Sequence, residues 1–242
     1  MACNPKLYNM NIGIILASGI GKRMGVGKNK VLLELGGKPI VFHALKAFEK
    51  CEDIDGILIV IRREEIELAK KIIGKYKIKK VIDIIEGGKE RQFSGLNAIL
   101  YLNEILKDKA KAVVLFHNGA NPFVTSEEIS ESIKNAKKYG AAVVAHPTKD
   151  TIKEIDKNGL AVKTLDRSKL WNMQTPQTIK FPLAYKAFTK ADKDNFIGTD
   201  DVSLVERLGK KVKIIEGSKY NFKITTPLDL ELAKIIIKNF KK

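Results

Sequence analysis

Residues 16–24 read Leu-Ala-Ser-Gly-Ile-Gly-Lys-Arg-Met, and Lys30 stands seven positions beyond Arg23. Gly19 and Gly21 let the backbone fold back so that several N–H groups converge on one point. Lys22, Arg23 and Lys30 add fixed positive charge close by. Converging neutral donors with cations around them are what a nucleoside triphosphate requires. The plainer reading is a glycine-rich turn after an edge strand, but such a turn has no need of Arg23 or Lys30. The loop is not a Walker A sequence, because G-x-x-x-x-G-K-[ST] is absent. It is not a dinucleotide fingerprint either, since Met24 stands where the third glycine belongs.

Four more segments carry chemistry-bearing residues. In Glu86–Ser94 the pair Gly87-Gly88 permits close backbone approach to a flat base. Ser94, about one helical turn past Arg91, can hydrogen-bond a base edge; a tight turn followed by a helix start explains the same residues equally well. His117-Asn118-Gly119-Ala120-Asn121-Pro122 follows an apolar run, and Gln174-Thr175-Pro176-Gln177 lies further on. In Asn221–Thr226, Lys223 is central to a short apolar segment that reads as a strand, Asn221–Ile224. A lysine there is costly without an anionic partner, unless it reaches solvent along its own stem. No Ser-His-Asp or Cys-His constellation accompanies these segments.

The elements that must position them follow from hydrophobic pattern. Continuous apolar runs at Ile12–Leu16, Ile57–Ile61, Val81–Ile85, Ala112–Phe116 and Ala141–Ala145 fit strands buried on both faces. Helical patterns at Pro39–Lys50, Glu64–Ile73, Arg91–Leu106 and Ser126–Lys138 alternate with them. That rhythm predicts an α/β fold, a mostly parallel sheet with helices on both sides and ligands at the strand carboxyl ends. The opening loop, Gly87-Gly88 and His117-Asn118 then converge on one edge. The rhythm breaks after Ala145. Thr151–Ile155 and Leu160–Thr164 flank Asp156-Lys157-Asn158-Gly159, a hairpin turn signal. A two-stranded arm is expected over 147–173, and an isolated hairpin is marginal in water, so a partner surface is expected for it. Beyond it come a helix near Asp200–Leu208, strands Val212–Glu216 and Asn221–Ile224, and a helix Pro227–Asn239 opened by a cap and a proline.

The 242 residues, 44% hydrophobic, suffice for one sizeable core, so one domain spanning 1–242 is expected. No apolar run approaches the roughly 20 residues of a membrane span, and residues 1–10 lack a signal peptide's apolar stretch. A soluble, cytoplasmic protein is expected, with Cys3 and Cys51 as free thiols. Net charge is +16, yet only six of the 44 cations are arginines. Lysine is scattered over nearly every helix, which reads as a solvated surface that steers in anions rather than a nucleic-acid site. Neither a nucleic acid nor a membrane is expected as a partner.

Taken in order, the five segments resemble the cytidylyltransferases that join CMP to a polyol phosphate, the family of 2-C-methyl-D-erythritol 4-phosphate cytidylyltransferase and ribitol-5-phosphate cytidylyltransferase. The resemblance runs from about Ile12 to Ile237. It implies a Rossmann-like three-layer α/β/α fold of the nucleotide-diphospho-sugar transferase type, with a β-arm that swaps across a homodimer. It implies that Ala17, Ser18, Gly19, Gly21 and Lys22 line CTP and its phosphates, with Gly88, Lys89 and Ser94 facing the cytosine. Arg23 and Lys30 would stabilise the transition state at the α-phosphorus, and Lys223 would bind the attacking phosphate. Asn118, Asn121 and Thr175 would line the polyol site. Thr151 and Arg167 on the arm would serve the partner subunit's site. Mg²⁺ would act mainly through the substrate phosphates. The family loop usually reads His-Asp-Ala-x-Arg-Pro, so Asn118 and Asn121 replace an acid and an arginine. A Pro-Lys pair is Asn29-Lys30 here, and Lys89 stands where an acid is common. The acceptor expected first is 2-C-methyl-D-erythritol 4-phosphate, with ribitol 5-phosphate or another alditol phosphate as alternatives. A nucleotide-binding homologue without turnover is the reading from another class.

Overall fold

The computed structural model describes residues 9–19, 21 and 29–239. In chain order its elements are β1 (Asn11–Leu16), β2 (Glu34–Leu35), β3 (Lys38–Pro39), α1 (Ile40–Lys50), β4 (Gly56–Ile61), α2 (Ile66–Tyr76), β5 (Val81–Glu86), α3 (Arg91–Ile105) and β6 (Val113–Asn118). They continue as α4 (Ser126–Tyr139), β7 (Ala141–Pro147), β8 (Lys153–Ile155), β9 (Ala161–Thr164), β10 (Trp171–Lys180), α5 (Phe181–Lys193), α6 (Asp201–Arg207), β11 (Lys213–Glu216) and α7 (Pro227–Asn239).

Seven strands form one sheet in the order β11-β7-β10-β6-β1-β4-β5. All run parallel except β10, which pairs antiparallel with both β6 and β7. The mostly parallel α/β architecture read from the sequence is the one observed. Alternate residues of β1 enter opposite cores, because side chains on a strand alternate faces. Ile12, Ile14 and Leu16 join the core beneath α3, α5 and α6, whereas Ile15 joins the one beneath α1 and α4. Phe116 and Phe188 stack in the first core with ring centroids 5.0 Å apart, an arrangement worth about 0.5–1.5 kcal/mol beyond the area it buries. On the other face, a Cβ at Gly13 would sit 2.4 Å from Cδ1 of Phe48. That glycine lets α1 lie close against the sheet. A third, small cluster joins Leu35, Ile40 and Ile224 to Ala233 and Ile237 of α7.

The arm is present as the antiparallel pair β8–β9, fully exposed along both strands. Asp156 Oδ1 accepts from the N–H groups of Asn158 and Leu160, each at 2.9 Å, and Gly159 has φ +83°. These are the turn features that the Asp-Lys-Asn-Gly sequence dictates.

Three local expectations need correction. β5 is half-buried rather than buried on both faces, because it is the sheet's edge. β10 and α5 occupy residues 171–193, where no strand or helix was expected. Pro176 inside β10 argues against a strand, and the ladder shifts register around it. In α5 the buried face is Phe181, Ala184, Ala187, Phe188 and Ala191, so alanines mute its helical pattern. Finally, Asn221–Ile224 is not a strand. It lies outside the sheet without regular secondary structure, tied by the Ile224 N–H to the Ala120 carbonyl at 2.9 Å, and Lys223 on it is exposed.

Candidate active site

The carboxyl ends of β1, β5 and β6 meet at one edge of the sheet. Leu16 and Asn118 are register partners in β1 and β6, and the Gly119 N–H closes on the Leu16 carbonyl at 2.8 Å. Gly87 caps the adjoining end, its N–H on the Ile61 carbonyl at 2.9 Å. A Cβ at Gly87 would stand 2.5 Å from Cβ of Ser18, so only glycine lets the two loops touch here. Ser18 Oγ and Ser94 Oγ lie 2.9 Å apart, and the Gly88 N–H donates to Ser94 Oγ at 3.1 Å.

These loops surround a cavity of about 370 Å³. Ser18, Gly19, Gly21 and Lys30 form one wall, and Gly88 and Lys89 another. Lys30 is almost buried, on a short 3₁₀ turn whose base is Asn29. Asn29 Nδ2 donates to the Ala17 carbonyl at 2.6 Å and to Glu65 Oε2 at 2.7 Å, and Glu65 in turn pairs with Arg62. Asn29 therefore fixes this turn by side-chain hydrogen bonds.

A second cavity of about 480 Å³ adjoins the first. Asn121, Thr175, Gln177 and Asn221 are among its lining, and the two cavities share Arg91, Asn118 and Lys223. Arg91 makes two hydrogen bonds to Asp201, Nη1 to Oδ1 at 2.7 Å and Nη2 to Oδ2 at 2.5 Å. Burial disfavours the charged guanidinium, but Asp201 more than offsets this and holds Arg91 above its usual pKa. Nε of Arg91 donates to Asn118 Oδ1 at 3.1 Å. Beneath this floor lies His117, wholly buried. Burial pushes its pKa down to about 4, so the ring is neutral near pH 7. Its Nε2 lies 3.1 Å from the Asn121 carbonyl, which only accepts, so the proton sits on Nε2.

Of the residues expected in the site, Ser18, Gly19, Gly21, Lys30, Gly88 and Lys89 are together around the first cavity. Asn121 and Thr175 line the second, and Asn118 and Lys223 line both. Ala17 and Ser94 are buried behind the wall, with Ser94 Oγ engaged by Ser18 and Gly88. Thr151 and Arg167 are exposed on the arm and line neither cavity; Arg167 Nη1 reaches the Lys149 carbonyl at 3.3 Å. Lys22 and Arg23 lie outside the described residues. Arg91, Asp201, Asn221 and Glu128 were not singled out by sequence. Arg91 and Asp201 are 110 positions apart, and no local pattern announces such a pair.

Among the described residues, no group of three or more His, Cys, Asp or Glu side chains is arranged to hold a metal. Among the described residues, no helix is long and apolar enough to cross a membrane.

A doubly wound sheet that sets a glycine- and lysine-lined cavity beside a second polar cavity is the build of a nucleotidyltransferase. The chain belongs to the 2-C-methyl-D-erythritol 4-phosphate cytidylyltransferase family, whose model matches residues 12–239. It is 45% identical over 229 residues to the enzyme of that name from Bacillus mycoides, covering 95% of this chain and 98% of the other. It is 44% identical over 225 residues to the one from Geobacillus kaustophilus, covering 93% and 95%. The crystal structure of 4-diphosphocytidyl-2C-methyl-D-erythritol synthase from Anaerococcus prevotii matches with a TM-score of 0.82 at 30% identity, over 95% of this chain and 99% of that one.

Proposed function

We propose that this chain transfers CMP from CTP to 2-C-methyl-D-erythritol 4-phosphate and releases pyrophosphate. The observation that carries the reading is the meeting of the two cavities at Arg91, Asn118 and Lys223, in a chain of this family. CTP would occupy the first cavity. Its phosphates would lie against the backbone of Ser18, Gly19 and Gly21 and beside Lys30, and its base near Gly88 and Lys89. The acceptor would occupy the second. A phosphate oxygen of the acceptor attacks the α-phosphorus, a new P–O bond forms, and the bond to the bridging oxygen of the β-phosphate breaks. The electron pair leaves on pyrophosphate.

The nucleophile is already anionic near neutral pH, so no strong base is needed. Neutral, buried His117 fits that economy. The work left to the protein is alignment and charge stabilisation. Lys223, exposed at the junction, is suited to neutralise the attacking phosphate, and Lys30 the triphosphate. The described residues offer no carboxylate cluster for direct metal ligation. Mg²⁺ would be held mainly through the substrate phosphates, where it would supply further neutralisation.

Exposed Thr151 and Arg167 support an arm, residues 147–173, that completes the site of a second copy. Ile155, Leu160 and Val162 on the arm are each more than 60% exposed, an apolar surface that such a copy would cover.

The test is pyrophosphate release with CTP, UTP or ATP against methylerythritol phosphate, ribitol phosphate and glycerol phosphate. Release is expected with CTP and methylerythritol phosphate. Asn118 and Asn121 favour ribitol phosphate or another alditol phosphate as the second acceptor to examine. Silence with every acceptor would leave a nucleotide-binding homologue without turnover.

A further inference from the structure

A groove of about 320 Å³ lies between α2 and the β2–β3 hairpin. None of its lining residues lines either of the two cavities described above. One wall is a face of α2, where Leu68, Lys71, Ile72 and Lys75 stand at i, i+3, i+4 and i+7 and Tyr76 follows. The other wall brings Leu32, from the 3₁₀ turn that carries Lys30, and Lys38 of β3. The lining is thus of two kinds, aliphatic and cationic.

The cations are held by rings rather than by acids. Lys38 Nζ sits 4.5 Å from the Phe42 ring centroid and 5.8 Å from that of Tyr76, and Lys75 Nζ sits 5.4 Å from that of Tyr76. Ring faces attract an ammonium group but use up none of its hydrogen-bond donors as an oxygen would. The acids at the start of α2 are engaged elsewhere: Glu64 and Glu65 pair with Arg62, and Glu67 pairs with Lys70 at 2.7 Å. Among the described residues of the lining, Glu34 is the one carboxylate, and it is exposed. Pro39, the N-cap of α1, also lines the groove; that helix end has no side-chain cap and no acid in its first turn, so its positive pole adds to the three lysines.

We propose that this groove is a second ligand site, which binds a small phosphate monoester with a short aliphatic tail. The phosphate meets Lys38, Lys71 and Lys75, and the tail lies on Leu32, Leu68 and Ile72. Leu68 is 45% exposed, an apolar side chain that such a tail covers. A flat aromatic body suits the groove less, because Tyr76 already has Phe42 against it, ring centroids 4.3 Å apart, and Lys75 over its ring. The volume stands near the low end of small-molecule pockets, about 300–1,000 Å³, which keeps the tail short. This site does not depend on the proposed CMP transfer.

The test needs no turnover. The full chain, labelled at Ile, Leu and Val methyls, is titrated by NMR with hexyl phosphate, inorganic phosphate and hexanol. Hexyl phosphate is expected to shift the methyls of Leu32, Leu68 and Ile72 saturably and to bind at least about tenfold tighter than inorganic phosphate, while hexanol leaves them in place. Leu16 and Val31 line the first cavity, so shifts confined to their methyls would put the phosphate there and overturn the proposal. Joint Lys71→Gln and Lys75→Gln substitution is expected to weaken hexyl phosphate at least about tenfold; unchanged binding overturns the assignment of the head group. Leu68→Ser is expected to narrow the gap between hexyl phosphate and inorganic phosphate, and an unchanged gap overturns the assignment of the tail. Capture by phosphatidic acid vesicles with no response to soluble hexyl phosphate would mark a lipid-facing surface and overturn the small-ligand site.

Discussion

The two cavities adjoin but are made of different material. The first brings Gly19, Gly21 and Gly88, on loops at strand ends, together with Lys30, Lys89 and Lys223. Half of the second is side-chain amide and carboxylate, gathered from β6 and the loop after it, β10, the turn before α6 and the segment at 221–223. A backbone surface binds any ligand with the right spacing of negative charge, and many substitutions leave it intact. A floor of side chains changes with each substitution; Asn118 and Asn121 lie on it, and Lys89 is on the wall of the first cavity.

Breaking the shared wall tests the contrast most severely. Lys223→Ala removes one of the two cations, with Arg91, that line both cavities, and its kcat is expected to fall by about 10²–10³-fold, read as pyrophosphate release. A loss below tenfold would mean that Lys223 does not meet the reacting phosphates.

The next effect is specific to the floor of the second cavity. His117 has an ordinary pKa of 6.5 and about 4 in the fold. Between these values the unfolded chain takes up a proton that the folded chain refuses. Stability is fully present above pH 6.5 and is lost as pH falls toward 4, by up to about 3 kcal/mol. Denaturation of the parent and of His117→Gln, followed from pH 7 to 4, should show a slope in the parent that the variant lacks. Parallel curves would count against the assignment.

Gly88→Ala sharpens the comparison from the other side. Its Cβ would fall 2.4 Å from Cβ of Phe93, so the loop must shift. The CTP KM is expected to rise about tenfold while the acceptor KM stays put; kinetics with each substrate varied in turn will show whether the halves respond separately. The smallest signal is complementation. Arg167→Ala and Lys223→Ala subunits, each weak alone, should regain part of the turnover when mixed, if the arm serves a partner. Verified heterodimers without regained turnover would argue that each chain works alone.

Much of this was legible in the chain. Continuous β-branched runs and capped helical patterns fix the parallel sheet, and the parallel sheet dictates which loops share an edge. Asp156-Lys157-Asn158-Gly159 states its own hairpin. What escaped is instructive. Lys223 looked like a lysine within a strand, because Phe222 and Ile224 flank it; the segment instead lies outside the sheet and leaves that side chain exposed. Spacing along a helix shows which way Ser94 points but not that Ser18 meets its hydroxyl from the opening loop.

The sequence by itself determined the sheet, the glycines at its carboxyl edge and the turn of the arm, because periodicity, glycine and turn chemistry act over a few neighbouring residues. Only the tertiary structure decided that Arg91 meets Asp201 across 110 positions and that Asn221 joins Asn121 across 100. Hydrogen bonds between distant segments leave no periodic trace, since each partner is specified by the fold that brings the two together.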